Sequence, residues 1–446
     1  MNLFNRYNLD GVIGIQTALT PDMATSIDLW NDILQGKAPW VKSAEPCGIV
    51  GCTIGELANP IGEEIETNSQ NERLAECMNK LNEQTHELVQ NLVAIGGSVV
   101  RPIYTNGKMQ FEIIKLGNYI PVSYDLDGTL TACIITKEIT ENNKKFILLE
   151  RHNYANKNHS INLELYQTQG EALKKIPLSA CEKTKDLTES QIWTNVEYPF
   201  IVEVKNRMPN KIDGSSVPCA LWQGSENLLR DADYIYNALN WEIEGGKMRV
   251  FADEDLFKKV GKDKKQISLY PELNKLFVKL NGNGIDAERI TEHAPALRTA
   301  QLIEAFNQIL RRCELAWNIG KGTLSDMETA LQTATQYTGG KKALYSMIDS
   351  IESELEEKYR HIAYIFAYML TVYENVKMDA EIEIKYNDAN RKDPSSMKQI
   401  ALQELAEGII SPAEYRTMFF GEDKETAERN VPEKVVSNNF GGFTIE

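Results

Sequence analysis

Five histidines, His86, His152, His159, His293 and His361, are the side chains best suited to proton transfer or metal ligation near neutral pH. Glu150 and His152 stand two apart in the β-type run "LLERH", so they share one strand face, but no third ligand or catalytic partner lies nearby in sequence. His86 and His361 fall in charge-rich helical stretches and are expected at the surface. Acidic groups cluster in "EDLFKK", "DADY" and "DAEIEIKYND". Such carboxylates hold metals in nucleases, and they equally make solvated faces. The cysteines, Cys47, Cys52, Cys77, Cys133, Cys181, Cys219 and Cys313, are odd in number, scattered and without a Cys-x-x-Cys pair, so reduced thiols are expected rather than a disulfide frame or zinc site. No nucleophile elbow, kinase set or His-Glu-x-x-His motif is present.

The stretch "GKGTLSDMETALQTATQYTGGKKALYSMIDSIESELEEKYRHI" (320–362) invites a phosphate-loop reading, which fails on spacing. Gly340-Lys341 would need a glycine at Thr335 and a hydroxyl at Lys342, and what precedes is helical rather than a strand. Beyond Gly340, residues Leu344, Ile348, Ile351, Leu355, Tyr359, Ile362, Phe366, Met369 and Tyr373 form one apolar stripe. Residues 341–373 make a rod of roughly 50 Å. Asp349, Glu352, Glu354, Glu356 and Glu357 mark its expected solvated side, and Gly339-Gly340 weakens the helix start, so a kink is expected between Thr335 and Lys341.

Formal charge is −16, from 48 basic and 64 acidic residues. That argues against a wide surface gripping nucleic acid, since grip comes from Lys and Arg neutralising phosphates; it is compatible with a wall that lets DNA pass. No apolar run is long enough to span a membrane, and the N-terminal MNLFNRYNLDGVIG lacks the order of a signal peptide, so the protein is expected to stay where it is made.

The elements that must position these residues divide into zones. Thr20-Pro21-Asp22 starts a helix with Met23, Ile27, Trp30 and Leu34 on one side. A second helix is expected over about 68–95, stopped at Gly96-Gly97. Residues 98–205 read as an antiparallel meander with hairpins at Asn106-Gly107 and Asp127-Gly128, which disfavours a doubly wound nucleotide fold. A helix over about 225–247 carries a narrow seam, Leu228, Ala232, Ile235, Leu239 and Ile243, suited to packing beside parallel neighbours. Residues 251–296 are short and mixed, with the densest basic cluster, Lys258, Lys259, Lys262, Lys264 and Lys265. A helix follows over about 297–318; the last region holds a strand-like piece at 380–386, two small helices and a polar tail.

Taken in order, these pieces resemble the portal proteins of tailed bacteriophages, in the branch common in phages of Gram-positive bacteria. The resemblance spans about 20–430 and rests on "LWNDILQGKAPW", "YIPVSYDLDGTL", "LLERH", the helices within 214–252 and 294–325, "TATQY" at 333–337 and "GIISPAEYRTMFFGEDKETAER". Gln336 and Tyr337 replace that family's usual Glu and Val, and Gly339-Gly340-Lys341-Lys342 is unusual at the helix start.

The resemblance implies an α+β portal fold: a mixed wing with antiparallel strands (1–219 with 374–390), stem helices (220–250 and 297–318), a small clip (251–296), a tunnel loop with a long kinked helix (319–373), a helical crown (391–431) and a tail (432–446). It implies a homo-oligomeric ring of about twelve subunits at one capsid vertex. Double-stranded DNA would be packaged and ejected through it, with terminase, a head–tail adaptor, and the major capsid and scaffolding proteins as partners. It implies no membrane, cofactor, metal or catalytic residue, and assembly in the host cytoplasm before incorporation in the virion. Lys321, Thr323, Ser325, Asp326, Thr329, Lys341 and Lys342 would face DNA; the seam would join subunits; the clip lysines would meet a partner. A metal-dependent nucleic-acid enzyme, using carboxylates of 374–390 and of the 228–244 helix, and a non-channel scaffold or adaptor remain the alternatives.

Overall fold

The computed structural model describes residues 14, 16–105, 107–169, 172–247, 249–253, 258–260, 266–268, 277–280, 290–293, 295–325, 334–386 and 394–431. Helix α1 (Pro21–Leu34) begins as its sequence requires. The Thr20 hydroxyl accepts from the Met23 amide, Pro21 occupies the first turn, and Met23, Ile27 and Trp30 are buried. Helix α2 (Ile49–Glu64) carries Gly51, Gly55, Pro60 and Gly62, residues poor in helices. It forms because Ile54, Leu57, Ala58 and Ile61 are buried along one side. Gly62 allows close approach: a Cβ there would lie 3.4 Å from that of His86.

The helix expected over about 68–95 is three elements. Strand β1 (Ile65–Asn68) precedes α3 (Glu72–Asn82) and α4 (Thr85–Ile95). Asn71 caps α3 by accepting from the amides of Arg73 and Leu74, so the start moves inward. The break at Glu83-Gln84 was hidden because Leu81 and Leu88, seven apart, keep the apolar stripe in phase across it.

The strands described within residues 97–205 all pair antiparallel, and one isolated parallel bridge joins Leu116 to Tyr119. One sheet has the order β10 (Val202–Lys205), β2 (Gly97–Thr105), β3 (Lys108–Lys115). A six-stranded sheet runs β4 (Tyr119–Tyr124), β5 (Leu130–Glu141), β6 (Lys144–Ala155), β7 (Asn158–Gln169), β8 (Ala172–Ile176), with β9 (Ser190–Thr194) also on β7. Both expected hairpins form. Strands β2 and β3 close at Thr105↔Lys108, and the Asp125 carboxylate accepts from the amides of Asp127 and Thr129 in the turn that uses Gly128. Two further turns place both central residues in the left-handed region, Asn142-Asn143 and Asn156-Lys157, as type I′ hairpins demand. Gly96 (φ +100°) is obligatory where the chain leaves α4, since a Cβ would sit 2.7 Å from the backbone of Pro218 and Cys219.

Helices α5 (Glu226–Gly245) and α6 (Thr299–Trp317) match expectation to within two residues. Between them, β11 (Arg249–Asp253) pairs parallel with β14 (Phe277–Leu280) and antiparallel with β15 (Ile290–His293), while β12 (Lys258–Val260) pairs with β13 (Gln266–Ser268). Helix α7 (Ala334–Glu374) continues through Gly339-Gly340. Every stripe residue from Leu344 to Met369 is buried, and Tyr373, at its end, stacks on Tyr104 at 4.2 Å. Strand β16 (Glu383–Tyr386) returns to pair with β1.

Residues 386–446 cluster as a separate unit. Its described residues form three helices where two were expected: α8 (Pro394–Glu407), α9 (Pro412–Phe420) and α10 (Lys424–Arg429). Ser411 and Glu414 form a reciprocal capping box on α9, and Asp423 caps α10.

Candidate functional site

The segment leaving α6 is pinned at its start. Asn318 ends the helix in the left-handed conformation, and Gly320 and Gly322 also take positive φ. The buried Glu314 carboxylate then receives three hydrogen bonds, from the Leu324 amide (2.7 Å), the Ser325 amide (2.7 Å) and the Ser325 hydroxyl (2.9 Å). Thr323 Oγ1 donates to the Ile319 carbonyl at 2.7 Å. Ser325, expected to face DNA, is therefore buried and turned to Glu314. Lys321 and Lys342 are exposed and Lys341 is half-buried; Asp326 and Thr329 lie outside the described residues. Glu314 went unnoticed because its partners sit ten and eleven residues ahead, in a stretch that reads only as polar.

Helices α5 and α6 pack antiparallel, with three contacts fixing their register. Trp317 Nε1 donates to Ser225 Oγ (3.0 Å), Tyr236 meets Phe306 (6.5 Å between centroids), and Arg298 pairs with Glu242 (2.8 Å). Ser225, Tyr236, Glu242 and Gly246 fall on the side of α5 that carries the seam. Ala232 is buried, Leu228, Ile235 and Leu239 are half-buried, and Ile243 is exposed. The N-terminal half of α5 is also anchored. Asp233 accepts from Trp40 Nε1 (2.8 Å) and the Cys47 amide (2.7 Å), and Trp30 Nε1 donates to Glu226 (2.9 Å).

Of the basic cluster, Lys258 and Lys259 lie on β12, opposite Ser268 and Ile267; Lys262, Lys264 and Lys265 lie outside the described residues. Glu354, expected on the solvated side of α7, is buried instead. Arg207 Nε bonds it at 2.5 Å and the Lys205 amide at 3.3 Å, which satisfies a charge the core would otherwise reject.

The histidines resolve into separate roles. Glu150, His152 and His159 form a buried chain: His152 Nε2 contacts Glu150 Oε1 at 2.7 Å, and His152 Nδ1 contacts His159 Nε2 at 3.0 Å. Phe200 N–H donates to His159 Nδ1 at 3.4 Å, and Arg101 closes the other end on Glu150. Every atom is satisfied when both rings carry their proton on Nε2. Burial, then the neighbouring His152, drives the His159 pKa down to about 2. Burial raises that of Glu150, but the His152 hydrogen bond and the Arg101 charge outweigh it and hold it below the ordinary value. His86 is exposed beside Asn59, whereas His361 is half-buried and stacked on Tyr198 at 4.1 Å, with its pKa lowered by burial and then by Lys358. Among the described residues no cluster of His, Cys, Asp or Glu could hold a metal ion. Asp233, one carboxylate a nuclease reading would draw on, is engaged by Trp40 and Cys47, and Asp388 lies outside the described residues.

Two long helices joined through a small β element, a pinned connection and a third helix of 41 residues stand in one unit with an antiparallel α+β body. Residues 59–433 match the family model described as phage portal protein, SPP1 Gp6-like, and the chain belongs to that family. A search of curated proteins found no match. The chain is thus a bacteriophage portal protein, a component of the virion at the capsid vertex, from a structural family. No helix among the described residues is long and apolar enough to cross a membrane.

Proposed function

We propose that copies of this chain close into a ring whose axial opening conducts double-stranded DNA into the capsid during packaging and out at infection. The family match over residues 59–433 carries this reading. In it, α5 and α6 are the stem, the β11–β15 segment is the clip that meets terminase and later a head–tail adaptor, and α8–α10 form the crown. The segment from Gly320 into α7 borders the channel, with Lys321, Lys341 and Lys342 contributing transient phosphate contacts. The pairing of β16 with β1 supports grouping 374–390 with the N-terminal wing. A net charge of −16 suits a conduit that must not hold its cargo. The ring forms in the host cytoplasm, with scaffolding and major capsid proteins as further partners. End-on imaging of the purified chain tests the reading: rings with an axial opening are expected, and compact monomers without one would overturn it.

A further inference from the structure

We propose that neighbouring copies meet through the outward faces of α5 and α6, with Asp231 of one copy paired to Arg312 of the next. The inference rests on the ring reading and specifies its subunit boundary.

The argument starts from what the chain leaves uncovered. The seam side of α5 turns toward α6 of its own chain, as the Ser225, Tyr236 and Glu242 contacts show. Tyr234, Ala238 and Trp241, spaced four and three apart, form a second, exposed stripe on α5 with Ser43 and Glu45 at its flank; Trp241 is 71% exposed. On α6 the corresponding stripe is Glu304, Gln308 and Leu315, with Leu315 81% exposed. An indole and a leucine that open to water, on the two outward faces of one helical pair, mark a surface made to be covered.

A second copy fits because the two faces are complementary. Counting antiparallel from the Tyr236–Phe306 contact, Asp231 falls level with residue 311, Tyr234 with residue 308 and Ala238 with residue 304. Asp231 and Arg312 thus stand within about one residue rise of the same height. Both bonds from Arg230 to Asp231 fall on Oδ1, leaving Oδ2 open, and Arg312 is exposed with no acceptor among the described residues. Glu304 and Gln308 are tied to each other at 2.7 Å, which holds their stems as a flat surface beneath Tyr234 and the small Ala238. Side-by-side copies at equal height therefore bring an acid to a base and an aromatic to an aliphatic surface, with Arg230 and Arg312 sharing the Asp231 carboxylate.

The test is charge exchange in the full chain, read by mass photometry and negative-stain imaging. Asp231→Arg and Arg312→Asp singly should lower the ring fraction about tenfold or more, and the two together should restore it. Rings from both single variants at wild-type yield would overturn the assignment, as would failure of a natively folded double variant to recover. A cysteine pair, Ala238→Cys with Glu304→Cys in a Cys52→Ser background, gives an independent reading. Oxidised rings should run as a ladder of linked subunits on a denaturing gel. Rings without that ladder would sink this boundary while leaving the ring itself intact, whereas an absence of rings in the wild-type protein would sink both.

Discussion

His159 gives the six-stranded sheet a pH dependence that can be worked from its surroundings. The ring is buried and its pKa lies at about 2. In the unfolded chain an imidazole titrates at about 6.5. The folded value is depressed, so the stabilisation is complete above the unfolded value and declines as pH falls toward the folded one, because the unfolded chain takes up a proton that the folded protein refuses. At about pH 5 the difference is about 1.5 pH units at ~1.36 kcal/mol each, or about 2 kcal/mol. Replacing His159 with Gln removes the titration and keeps the bonding pattern, since the amide can donate to His152 Nδ1 and accept from Phe200 N–H. Urea denaturation followed by tryptophan fluorescence, at about pH 7.5 and about pH 5, should show the wild type losing about 2 kcal/mol more than the variant on acidification. Equal losses would refute the claim that His159 is held neutral by burial.

Two further outcomes follow from buried carboxylates. Glu314→Ala leaves the Leu324 and Ser325 amides without their acceptor, at a cost of about 1–3 kcal/mol, and should speed hydrogen exchange at those two amides; unchanged protection there would contradict the pinned connection. Asp233→Ala strips the acceptor from Trp40 Nε1 and the Cys47 amide and should destabilise the chain by about 1–3 kcal/mol, visible as a lower thermal midpoint with altered tryptophan emission.

What the sequence reveals depends on how local the determining forces are. Helices α5, α6 and α7 and both anticipated hairpins follow from periodicity and turn residues, which act within a few positions. Residues 1–95 read mainly as helix, but α2 cannot be delimited within them because Gly51, Gly55 and Pro60 argue against helix locally, while its stability comes from burying Leu57 and Ile61 against distant elements. Glu354 reads as one more acid on a charged face, and only the fold brings Arg207 to it across 147 positions. The same holds at the candidate site. The exposed lysines of the loop are visible from composition, but Ser325 turns inward because of Glu314, and the seam turns toward α6 because of Trp317 and Phe306.

The Glu314 tether also determines where a pull on the chain is felt. The backbone leaving α6 has two glycines, Gly320 and Gly322, at which it would otherwise swivel without resistance. Because Ser325, beyond both of them, is clamped to the helix it came from, tension arriving from the α7 side bypasses that swivel. It is delivered to the final turn of α6 and, through Trp317 and Ser225, to the root of α5.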